Sequence, residues 1–134
     1  MKNTPLSIFA ALSWVITAAA QAVDLYVSPD GNHTPPFANW AQAAMNIQAA
    51  VDAASEGDTI YLADHTYLLK ETITVDKAIT IKGFSGPNDC VIDGRNNVRC
   101  FEINDANLVD LTIQHGFVQG GFLGDPARRY GGGV

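Results

Sequence analysis

From Thr59 to Gly116 the chain is a succession of very short β-patterned segments, each closed by a corner, and that rhythm constrains its fold most. Thr59-Ile60-Tyr61-Leu62 gives way to the turn-like Ala63-Asp64-His65. Thr72-Ile73-Thr74-Val75 stops at Asp76-Lys77, Ile79-Thr80-Ile81 at Gly83, and Val91-Ile92 at Asp93-Gly94. Cys100-Phe101-Glu102-Ile103 stops at Asn104-Asp105, and Leu108, Leu111 and Ile113 lead into His115-Gly116. Each segment offers two or three alternating apolar residues, the pattern of a strand with one buried face. No crossover helix fits between them, so a βαβ arrangement is excluded. An antiparallel sandwich and a solenoid both remain. Repetition favours the solenoid: Ala78–Gly83 matches Asp110–Gly116, with Ile79 on Leu111 and Ile81 on Ile113, an offset of about 32 residues. Strands near Ile79, Ile92 and Phe101 would then make up one coil.

Upstream the period changes. Trp40, Ala44, Ile47, Val51 and Ala54 share one face of an α-helix, with Asn39 as N-cap and Gly57 as C-terminal stop. A one-sided apolar stripe needs a surface to cover. Before it, Asp24–Ser28 alternates as a strand and runs into the Pro- and Gly-containing loop 31–37.

The first 22 residues have a different purpose. Lys2 gives a positive start, Leu6 to Ala20 is largely apolar, and Ala20-Gln21-Ala22 is an A-x-A cleavage pattern. Residues 1–22 therefore read as a secretory signal, 23–57 as strand, loop and helix, and 58–134 as coils. From Val23 onward 7 basic residues face 14 acidic ones, a formal charge of −7. Nucleic-acid binding requires the opposite balance, and no second apolar span follows the signal. Export permits a disulfide, so Cys90 and Cys100 are either one bridge or two buried thiols. Two cysteines without a histidine cluster do not make a zinc site.

The run NWAQAAMNIQAAVDAASEGDTIYLADHTY, followed by ITIKG, VIDG, LVDLTIQHG and GGGV, resembles the N-terminal region of secreted bacterial right-handed parallel β-helix proteins of the pectate-lyase-like group. The resemblance spans residues 24–134. It implies an all-β solenoid, a right-handed parallel β-helix whose N-terminal mouth is plugged by the Trp40–Ala54 stripe, with Trp40, Ile47 and Val51 as its inward face. An open parallel coil exposes strand edges and an apolar interior, and a cap covers both. About two coils precede Val134, fewer than a solenoid ordinarily needs, so the chain reads as the first part of a longer protein, with further coils as a partner.

Lyases and hydrolases on this fold use acids projecting from one strand face, paired with a base or with calcium. Asp89, Asp93, Asp105 and Asp110 form no dense cluster, and Asp93-Gly94 reads as a corner in which Gly supplies positive φ. Glu102 should point outward, and Arg128-Arg129 is a loop pair. His33, His65 and His115 are scattered, His115 serving a turn hydrogen bond. Tyr26, Tyr61, Tyr67 and Tyr130 could stack on sugars but show no platform in sequence. Gly120-Gly121 and Gly131–Gly133 lack the Lys and Ser/Thr of a phosphate loop.

No catalytic, cofactor or metal residue is assigned on this basis. The reading is a secreted or cell-surface protein, non-catalytic in this segment, contacting extracellular polysaccharide or the cell envelope. The alternative is the N-terminal part of a polysaccharide lyase or hydrolase whose catalytic coils lie beyond Val134, in which case calcium would be the cofactor.

Overall fold

The computed structural model describes residues 21–118. The signal segment, apart from its last two residues, lies outside them, as do Gly120-Gly121, Arg128-Arg129, Tyr130 and Gly131–Gly133. Nine strands follow one another: β1 (Asp24–Val27), β2 (Thr59–Leu62), β3 (His65–Leu68), β4 (Ile73–Val75), β5 (Thr80–Gly83), β6 (Cys90–Asp93), β7 (Phe101–Ile103), β8 (Asn107–Val109) and β9 (Thr112–Gln114). They fall into three sheets of order β1-β2-β5-β8, β3-β6-β9 and β4-β7. Every pairing is parallel. From β2 onward the chain visits the first, second and third sheet in strict rotation, which fits a β-helix and not a sandwich.

Alternation fixes which side chains turn inward. Leu25, Ile60, Ile81 and Leu108 stand in register across the first sheet. Tyr67, Ile92 and Ile113 do so across the second, and Ile73 and Phe101 across the third. Ile60, Ile81, Ile92 and Phe101 have no exposed surface. Each fully buried side chain of this kind contributes about 1.5–3 kcal/mol relative to exposure.

The strands expected near Ile79, Ile92 and Phe101 do form one turn, as β5, β6 and β7. The repeat offset does not hold: Ile81 faces Leu108, whereas Ile113 faces Ile92. ITIKG and LTIQHG therefore lie on different sheets, and their likeness reflects alternation common to any strand. His65-Thr66-Tyr67-Leu68, in part read as a turn, is the strand β3.

The single long helix is also corrected. Trp40–Gln42 is a 3-10 turn capped by Asn39, whose side chain accepts from the Gln42 amide. The chain then extends, and Ala44 bridges Val27 in parallel. Asn46 opens a new helix, α1 (Ile47–Ala53), by accepting from the Ala49 amide at 2.8 Å. Two asparagine caps and a backbone pairing with β1 outcompete one continuous helix. Ile47 and Val51 are buried on α1, whereas Trp40 is half-buried off the helix. The helix packs on β1, β2 and β4, and its last carbonyls, those of Val51, Asp52 and Ala54, accept from Lys77 Nζ at 2.7–3.1 Å.

Candidate functional site

The corner at Asp93 gathers three hydrogen bonds on one carboxylate. Asp93 ends β6, and one carboxylate oxygen accepts from the Arg95 amide at 2.7 Å, the two-residue reach of an Asx turn. The other oxygen lies 3.0 Å from both Gln114 Nε2 and His115 Nδ1 at the end of β9, one coil further on. Backbone bonds reinforce the link, with Gly94 N donating to Gln114 O and Asn96 N to His115 O. The Arg95 amide foremost, then His115 and Gln114, hold the carboxyl down at about 2. Asp93 is thus both the corner of its own coil and a staple to the next.

Gly94 is needed for a different reason from the expected one. Positive φ falls on Arg95 (59°) and Asn96 (56°) instead. At Gly94 a Cβ would stand 2.6 Å from Val98 O in its own corner and 2.7 Å from His115 O on the next coil, so there is no room for one. His115 itself has φ 50°, and its side chain reaches back to Asp93 on the preceding coil instead of making the local turn hydrogen bond read from the sequence.

Chemically the corner is spent on structure. An Asp–His pair can orient an imidazole for proton transfer, but neither residue lines a described cleft. The largest such cleft, about 530 Å³, runs between Met45, Gln48, Leu68 and Lys70 and contains one carboxylate, Glu71. Among the described residues no three His, Cys, Asp or Glu side chains come together to hold a metal ion. No catalytic step is assigned to the described coils. Asp110 pairs with Lys82 at 3.7 Å, and Glu102 is exposed on β7. No described helix is long and apolar enough to cross a membrane.

Cys90 and Cys100 are free thiols with no exposed surface. They lie on one turn of the coil but on different sheets, Cys90 opening β6 and Cys100 preceding β7. Burial pushes the Cys90 thiol up to about 11 and raises Cys100 in the same direction.

Two groups escaped the sequence. Asp58, 3% exposed, accepts from the Val23 amide and from the Ser55 amide, so it fastens the start of β1 to the loop after α1. Tyr26 and Tyr61, far apart in sequence, are register partners with rings 5.8 Å apart, and Trp40 lies 4.7 Å from Tyr26. Only the strand pairing reveals that proximity.

No protein-family model matches the chain, and no solved structure matches it. A pectate lyase of Emericella nidulans, PEL9, is 37% identical to it over 91 residues, covering 60% of this chain. Over that stretch this chain is similar to a pectate lyase. It spans 22% of the length of that fungal relative. A pectate-lyase-like relationship and three parallel sheets visited in rotation agree on a β-helix. The bacterial source implied by the resemblance gains no support from a fungal relative.

Proposed function

We propose that this chain forms the opening coils of an exported, right-handed parallel β-helix protein that acts on pectic polysaccharide. The identity to a pectate lyase carries the reading, and the three-sheet rotation supports it. In this account residues 1–22 direct export, and α1 seals the first turn against solvent. The coils within 58–118 supply the base on which later coils present the reacting groups. The corner at Asp93 contributes by locking successive turns in register, which any site built across several coils requires. The non-catalytic adhesion reading draws no support from the relative.

The test is polygalacturonate cleavage by the product of the complete reading frame, collected from culture medium. Release of unsaturated oligogalacturonides that stops on adding a chelator is the expected result. A secreted product that leaves both polygalacturonate and methyl-esterified pectin intact would overturn the proposal.

A further inference from the structure

At the level of β1, one of the three strand positions of the coil is open. In the first sheet β1 itself lies over β2, and in the third sheet the Gln48 amide bonds Thr74 of β4 at both N and O. The second sheet begins at β3, and among the described residues no strand pairs with its outer side. The Leu69 amide donates to Asp93 O, so by alternation the backbone groups of Thr66 and Leu68 point away from β6. No described loop, cap or side chain bonds them.

This edge is the floor of a slot. Two clefts of about 360 and 530 Å³ adjoin over it, sharing Met45, Asn46 and Ile47 on one wall and Leu68 and Leu69 on the other. Met45 and Leu68 are 55% and 59% exposed, two of the three most exposed large hydrophobic side chains described. The formally charged residues lining the slot, Lys70 and Glu71, are of opposite sign, so it offers no net charge to a polyuronate. Its unpaired groups recur at alternate residues, about 6.6–6.8 Å apart, which is the period of another polypeptide strand. One strand fits and a second coil does not, because β1 and Gln48 already hold the other two positions at this level. Open edges are ordinarily blunted by Lys, Pro or a bulge; β3 reads His-Thr-Tyr-Leu in unbroken register with β6 and has none of these.

We infer that the β3 edge takes one extended segment of another protein, added as a fourth strand of the second sheet. Its backbone pairs with Thr66 and Leu68, which supplies affinity, and its uncharged, alternately apolar side chains lie between Met45 and Leu68, which supplies selectivity. The inference does not rest on the pectic reading.

Hydrogen exchange of the full chain, followed by NMR with and without a defined peptide, tests this. The probe is acetyl-Lys-Thr-Val-Thr-Val-Thr-Lys-amide, and the control is the same sequence N-methylated at every central amide, which keeps the side chains and removes the donors. The Thr66 and Leu68 amides should exchange about tenfold more slowly at saturating probe, as expected on gaining a paired neighbour, and should not respond to the control. Leu68→Lys, which puts a charge on the edge, and Met45→Gln should each weaken the probe about tenfold. Both side chains are exposed, so an unchanged circular dichroism spectrum keeps these variants informative. No slowing with the probe, equal slowing with the control, or unchanged affinity in both variants would overturn the inference. Slow Thr66 and Leu68 exchange without peptide would also overturn it. In a dimer by sedimentation that result would assign the edge to a second copy; in a monomer that loses it on deletion of residues 1–20, to the chain's own N-terminal residues.

Discussion

Asp93 shows how a single side chain can be legible in kind and hidden in reach. An Asp-Gly pair after Val91-Ile92 reads as a corner, and it is one, but the partners on the next coil, Gln114 and His115, are not local in sequence. A carboxyl lowered to about 2 in the folded chain, against an ordinary value of about 3.9 when unfolded, stabilises the fold above the unfolded value. That stabilisation is lost as pH falls from about 4 toward 2. Chemical denaturation across this range should show a steeper loss of stability for the native chain than for Asp93→Asn, which has no charge to lose. Parallel curves would contradict the staple. The thiols yield a second expectation. With Cys90 near 11 and Cys100 raised, iodoacetamide at pH 8 should leave both unmodified in the native chain. Both should react on unfolding without reductant; a disulfide would block that second reaction.

Elements were legible where alternation is strong and misread where tertiary bonds decide. The strands near Ile60, Ile81 and Ile92 follow from apolar alternation. The Trp40–Ala54 stripe also carried a helical period, yet Ala44 is taken by Val27 and Asn46 starts the helix again. What remains, α1, is only seven residues long, so its end depends on Lys77, which donates to three carbonyls beyond the reach of any sequence pattern. Lys77→Met should cost about 1–2 kcal/mol in denaturant titration, the scale of a charged group satisfying a helix C-terminus. The outer edges of the first turn are covered unequally. Tyr26 on β1 bonds Phe37 and Ala44 through its backbone, and Thr74 on β4 is bonded at both N and O by the Gln48 amide. Among the described residues no such cover lies over β3, whose Leu69 amide faces Asp93 and whose Thr66 and Leu68 therefore face away from β6. Hydrogen exchange should accordingly find the Thr66 and Leu68 amides faster than those of Tyr26 and Thr74. Equal protection would mean that β3 has a further partner.

At the scale of the molecule, the class of fold was readable because short segments without crossover helices leave few alternatives. The coil length was not. Corners of different lengths join strands of nearly identical pattern, so the best internal match linked two different sheets. The contact between Tyr26 and Tyr61 was hidden for the same reason, since they meet only once β1 and β2 are paired. Rotation through three parallel sheets is therefore the claim on which the staple from Asp93 to the next coil depends. Backbone NOEs in solution test it directly. The account predicts interstrand contacts between Ile81 and Leu108 and between Ile92 and Ile113. Contacts between Ile81 and Ile113, as a uniform repeat would give, or antiparallel cross-peaks between neighbouring strands, would contradict it.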